Sequence, residues 1–241
     1  MRIFLAGAAG VVGRRLVPLL LKAGHHVVGT TRSPGKAAEL QAAGVEPVVL
    51  DIFDNALLTR AVSDARPDIV IHQLTDLPPG LNPSQMADGA KRNARMRSEG
   101  TQSLISATLA SGAHRIIAQS IAWMYAPGPQ PHHEEDTLDV GAQGTRAISV
   151  AGVVTLERLA ISSPPIEGIV LRYGHLYGPS TGSEIAGEAP SLHVDAAASA
   201  ALLAVEKARQ GIYNIAEPNA YLSVEKARRE LGFDPNFRMD G

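Results

Sequence analysis

The stretch Gly7-Ala8-Ala9-Gly10-Val11-Val12-Gly13 decides the fold, because of what stands on either side of it. Before it runs the apolar segment Ile3–Ala6, of strand length. After it, Val11–Ala23 carries apolar residues at helical spacing, with Gly24 as a stop signal. A second apolar run, His26–Thr30, completes a strand–turn–helix–strand unit. In that setting each glycine has a physical task. The turn requires backbone angles closed to other residues, a diphosphate requires bare backbone nearby, and the helix must approach the sheet closely. The helix N-terminus then presents free N–H donors. Gly7, Ala9, Gly10, Val11, Val12 and Gly13 are therefore candidates for holding the phosphates of a dinucleotide. The alternative is a glycine-rich turn that holds nothing.

Outward from this unit the alternation continues. Helices are expected at Gly35–Ala43, Asn55–Ala65, Met86–Ser111, Ile148–Ile161, His193–Ala208 and Val224–Leu231. Strands are expected at Val45–Leu50, Asp68–Leu74, Arg115–Gln119, Gly168–Arg172 and Ile212–Ile215. Continuous apolar strands alternating with helices imply a parallel sheet covered on both faces. The expected fold class is thus α/β, a doubly wound parallel sheet of Rossmann type with a short C-terminal substrate extension. Residues 1–178 form the dinucleotide-binding part, and residues 179–241 a reduced extension packed on the same domain.

Composition narrows the function classes. The chain has 241 residues, 45% of them hydrophobic and 19% charged, as expected of a folded globular protein. A net charge of −2 offers no broad basic face for nucleic acid. Without cysteine there are no disulfides, thiolate metal sites or cysteine nucleophiles. The opening apolar run ends at Gly7, too early for a membrane span or a signal peptide, so a cytoplasmic protein is expected. The glycine turn is not followed by Gly-Lys-Ser/Thr, and Gly-x-Ser-x-Gly does not occur.

The second strand ends Thr30-Thr31-Arg32. An NAD site places a carboxylate here for the ribose 2′-hydroxyl. Arg32 suits a 2′-phosphate instead, so NADP is favoured over NAD. Asp51 could accept a hydrogen bond from adenine or could cap the following helix.

In order and spacing, the Gly7/Gly10/Gly13 loop, Asp51-Ile52, Ile69-Val70-Ile71-His72, Glu99-Gly100-Thr101, Ser120 to Tyr125, Leu171 to Pro179, His193-Val194-Asp195, Gly211 to Asn214 and Ala227 to Gly232 resemble the extended or atypical short-chain dehydrogenase/reductases, in the NAD-dependent epimerase/dehydratase group. The resemblance covers nearly the whole chain. It implies that Gly7, Gly10 and Val11 hold the pyrophosphate, that Asp51 and Ile52 flank adenine, and that Leu74 and Thr75 line the ribose path. It also implies that Tyr173 and His175 lie near the nicotinamide.

The family's proton relay is a Ser or Thr, a Tyr, and a Lys four residues beyond the Tyr. No Tyr-x-x-x-Lys occurs in this chain. By the same alignment Ser149 takes the Tyr place, Val153 the Lys place, Ile121 the Ser/Thr place beside Ser120, and Arg97 the place of an asparagine. Ser120 and Tyr125 are the remaining candidates for proton delivery, with Tyr173 and Tyr177 as further phenols. Pro179 and His193 are separated by only a short stretch, which implies a shallow or open pocket unless a partner subunit closes it.

Two clusters read as surface. His132-His133-Glu134-Glu135-Asp136 lacks the spacing of a metal site and reads as a solvated loop, so no metal is expected. Arg92, Arg95 and Arg97 span more than one helical face and read as solvated, although Arg97 could approach the site from beneath. The expected function is that of an NAD(P)-binding oxidoreductase or epimerase/dehydratase-like protein acting on a small carbonyl or sugar-like molecule. The alternative is a dinucleotide-binding regulator or redox sensor without turnover. The expected partner is a small-molecule substrate, a homodimer is left open, and neither nucleic acid nor membrane is expected.

Overall fold

The computed structural model describes residues 1–239. Five N-terminal strands, β1 (Arg2–Ala6), β2 (His26–Thr31), β3 (Glu46–Val49), β4 (Ile69–His72) and β5 (Arg115–Ile121), are joined by β6 (Glu167–Tyr173) and β9 (Gly211–Ile215). They form one sheet in the order β3-β2-β1-β4-β5-β6-β9. Every pairing is parallel, with Leu5 opposite both Gly29 and Ile71 and with Ile117 opposite Ile169. The remaining strands, β7 (His175–Tyr177) and β8 (Ser191–His193), make a separate parallel pair. These two are missing from the sequence reading because three-residue strands carry no periodicity.

Strand alternation sends side chains to two cores. Ile3, Leu5, Ile69 and Ile71 pack with α1 (Val11–Lys22), α2 (Pro34–Ala42), α7 (Val194–Lys207) and α8 (Glu225–Leu231). Phe4, Val70 and Ile116 pack on the other face, with α3 (Asn55–Ala65) and α5 (Thr101–Ser111). The helix α6 (Gly144–Ile161) covers β5 and β6 through Leu156 and Ala160, against Ala118 and Val170. The reversal of strand order between β1 and β4 opens a crevice at the carboxyl ends of the strands, where such sheets bind ligands.

Two helices depart from expectation. The helix α6 begins four residues before Ile148, because Arg146 is held by Asp139 and by the carbonyls of Trp123 and Tyr125. The long helix is α4 (Met86–Arg95) joined to α5 by a π-helical turn, Met96–Gly100. Such turns change the facing of the residues within them. Beyond residue 178, β9 edges the main sheet and α7 packs on α1.

Candidate functional site

The glycine loop is a formed cradle. Gly7 has φ +91°, and a side chain there would lie 2.9 Å from the carbonyl oxygen of Gln73 on the strand-four side. A side chain at Gly13 would overlap the Gly7 carbonyl oxygen, so the helix lies directly against the loop. The Gly10 N–H donates to Gly7 O at 2.9 Å, and the Gly7 N–H to Thr30 Oγ1 at 3.2 Å. Gly10 caps α1 without a side-chain hydrogen bond, which leaves the first-turn N–H donors open. Gly10 is exposed, and Ala9 and Val11 are half-buried. Val12 points into the core, so only its backbone can face the loop.

Around this loop the charge is positive. Arg32 is exposed at the end of β2, and no carboxylate stands between Thr30 and Lys36. Arg14 donates to the Ala9 carbonyl at 3.1 Å, and Arg14, Lys36 and the carboxylate of Glu39 line a cavity of about 500 Å³ beside Ala9, two cations against one anion. Asp51 is exposed and accepts the Phe53 N–H at 3.0 Å, which holds its turn, while Ile52 is buried behind it. Leu74 is half-buried, Thr75 is exposed, and both follow the end of β4.

Ser120 and Tyr125 do not have the freedom that proton delivery requires. Ser120 is fully buried and donates to Glu157 Oε1 at 2.7 Å. The Tyr125 hydroxyl donates to Asn214 Oδ1 and accepts from Arg172, both at 2.7 Å. Burial pushes its pKa up to about 12, against the pull of Arg172. Both hydroxyls belong to a buried network centred on Glu157 and Arg172 rather than to an open pocket. The Tyr173 hydroxyl accepts from Gln73 Nε2 at 3.2 Å, and burial raises its pKa as well. His175 stacks on Trp123 with ring centroids 3.7 Å apart, and burial lowers its pKa.

Where the resemblance put the Tyr and Lys places, α6 carries Ser149, half-buried, and Val153, fully buried in an apolar cluster with Ile121, Met124 and Val150. No cation from this turn of the helix reaches the crevice.

Two surface readings are overturned. His132 and Glu134 are buried, not solvated. His132 stacks on the Tyr125 ring at 4.9 Å, and Glu134 Oε1 accepts the Asn214 N–H at 2.8 Å. Glu134 pins the loop onto β9 and His132 ties it to Tyr221 and Ser223, and among the described residues no group of three His, Cys, Asp or Glu side chains converges to hold a metal. Arg97 is 7% exposed, unlike Arg92 and Arg95. It shares a buried helical face with Asn93 and Thr101, a spacing of four that could have separated it from its neighbours. Gln73 was also missed. Its Oε1 is buried with no partner, which is an open acceptor at the end of β4.

Comparison with known proteins shows the family and the fold. The model of the NAD dependent epimerase/dehydratase family matches residues 3–191. A 3-diazoavenalumate denitrifying reductase from a Streptomyces species is 39% identical over 239 residues, spanning 90% of this chain and 76% of that protein. The solved UDP-glucose 4-epimerase of Thermotoga maritima superposes with a TM-score of 0.80 at 19% identity, covering 99% of this chain and 94% of that one. The UDP-glucuronic acid 4-epimerase of Bacillus cereus, crystallised with UDP-glucuronic acid and NAD, gives 0.78 at 17% identity, with coverages of 99% and 95%. Among the described residues, no helix is long and apolar enough to cross a membrane.

Proposed function

The chain belongs to the NAD dependent epimerase/dehydratase family of enzymes, and on that premise we propose that it is an NADP-preferring reductase of small electron-poor acceptors that need no proton from the protein. The observation that carries this reading is Val153, an apolar and fully buried residue at the place where the resemblance puts the proton-relay lysine.

The cradle fits a dinucleotide, because side chains at Gly7 and Gly13 would collide with the backbone that shapes the loop. Gly7, Ala9, Gly10, Val11, Val12 and Gly13 would hold the pyrophosphate against the open N–H donors of α1. Asp51 and Ile52 would flank adenine, with Leu74 and Thr75 along the ribose. Tyr173 and His175 would lie by the nicotinamide, where the Gln73 Oε1 offers an unused acceptor. Arg32, with Arg14 and Lys36 around the loop, would take the 2′-phosphate. When bound, the reduced cofactor supplies a hydride.

The residues of this chain then decide which acceptors can use it. A ketone that gains a hydride becomes an alkoxide and needs a proton donor. The buried Tyr125 and Tyr173 hold theirs firmly, and Ser149 is a far weaker acid than a phenol. An arenediazonium ion that gains a hydride gives an arene and dinitrogen, and the equation balances without an added proton. The similarity to a protein named as a denitrifying reductase of a diazo compound supports this class.

The test is oxidation of NADPH by the purified protein, followed by absorbance, with an ortho-hydroxyarenediazonium salt, a simple ketone and UDP-glucose as acceptors. Turnover of the diazonium salt with release of dinitrogen is expected. Preferential turnover of the ketone, or epimerisation of UDP-glucose, would overturn the reading.

A further inference from the structure

Arg97 is a buried cation without a counter-ion of its own. It enters no hydrogen bond or ion pair among the described residues, although it is 7% exposed. Among the described residues the unpartnered atoms sealed from solvent are those of His25 and Gln73, not the Arg97 guanidinium nitrogens, which keep a thread of access to the outside. Burial lowers its pKa to about 10, with Glu157 acting in the opposite sense, so it is charged at neutral pH.

Its neighbours fix where it stands. One turn earlier, Asn93 Oδ1 accepts the Asp76 N–H at 3.0 Å, in the loop behind β4. One turn later, Thr101 bonds His72 at 3.1 Å at the end of β4. Both contacts tie this helical face to the carboxyl ends of the strands. Across from it, a side chain at Gly152 would lie 3.0 Å from Ala94 Cα, so α4 and α6 nearly touch there. Next along α6 come the apolar Val153 and then Glu157. Glu157 is already committed, since both of its oxygens are bonded to Arg172 and one also accepts from Ser120. His72 is no counter-charge, since an imidazole is neutral or cationic, and both its nitrogens are engaged, Nδ1 with the Leu74 N–H and Nε2 with Thr101. Leaving a charge buried and unpaired is costly, and a carboxylate matches a guanidinium fork in both charge and geometry.

We propose that Arg97 is the anion anchor of the substrate pocket and that the substrate is a small carboxylic acid whose carboxylate it receives. This rests on the reductase reading above for the identity of the pocket. The preference for an acid is measured separately from turnover.

The experiment titrates cinnamate and its neutral analogue cinnamamide into the protein with NADP present, by calorimetry and by the fluorescence of Trp123. Wild type is expected to bind the acid at least about tenfold more tightly than the amide, as befits a charge-assisted pair. Arg97→Met should abolish that difference while leaving amide binding in place, and Arg97→Lys should restore part of it. Thermal unfolding supplies a second readout. If Arg97 lacks a partner, Arg97→Met unfolds no earlier than wild type, whereas a structural arginine would lower the midpoint. Equal binding of acid and amide by wild type, or a preference that survives in Arg97→Met, would overturn the proposal. Absence of NADP binding by wild type would instead strike the reductase reading and leave the acid-to-amide ratio to decide Arg97.

Discussion

Glu157 on α6 grips Arg172 on β6 through both carboxylate oxygens, Oε1 to Nε at 2.9 Å and Oε2 to Nη2 at 2.7 Å, with both side chains almost wholly buried. Ser120, Tyr125 and the Glu134 carbonyl complete the cluster. The pair joins the helix to the sheet at the edge of the crevice. Glu157→Gln leaves the Arg172 charge uncompensated and should cost about 3–5 kcal/mol in urea unfolding. The double variant Glu157→Leu/Arg172→Met should lie much closer to wild type, since it removes both charges together. A single variant as stable as wild type would show that the pair contributes no cohesion.

Tyr125→Phe tests whether this phenol is structural. It deprives Arg172 and Asn214 of a buried partner and should cost about 1–3 kcal/mol. Turnover per folded molecule should be unchanged, because the hydroxyl is not offered to a ligand. Loss of kcat with stability intact would place Tyr125 in the chemistry after all.

His72 gives the protein an acid-side slope. Burial, then the nearby Arg97 charge, lowers its pKa to about 4, while in the unfolded chain it titrates near 6.5. Between these values the unfolded state binds a proton that the folded state does not. Stability therefore falls as pH drops from about 6.5 towards 4, by roughly 1 kcal/mol per unit for this one group. Urea midpoints measured at several pH values in that window should show the slope, and His72→Asn should flatten it.

Arg32→Ala should weaken NADPH about 10–100-fold, the cost of one charge-assisted contact, and leave NADH nearly unchanged. Equal weakening of both nucleotides in a binding titration would remove Arg32 from the 2′-phosphate.

Gly13→Ala and Gly10→Ala should separate folding from binding. At Gly13 an added methyl meets the backbone of the loop, so a stability loss of about 3 kcal/mol or more is expected in thermal unfolding. At exposed Gly10 the methyl lies 3.1 Å from Gly7 O, where a small shift suffices. That variant should fold normally and bind NADP more weakly. A stable Gly13→Ala protein with normal affinity would refute the close-packed cradle.

The amino-acid sequence by itself determined the sheet, its parallel sense and the glycine cradle, because these depend on local matters: apolar periodicity, glycine placement and the length of each run. It also determined that α6 brings no Tyr-x-x-x-Lys pair, since that is a matter of spacing along one helix. The three-dimensional packing decided what each polar side chain does. Whether Arg97 is solvated or enclosed depends on α6 pressing Gly152 against Ala94, which no local pattern announces. Ser120 and Tyr125 looked available until Glu157, Arg172 and Asn214, all distant in sequence, were seen to hold them. His132 and Glu134 likewise read as loop charges until Tyr125 and Tyr221 enclosed the one and β9 met the other. The difference is one of range. Backbone hydrogen bonds and hydrophobic spacing act between near neighbours, whereas desolvation and charge pairing are set by whichever groups the finished fold brings together.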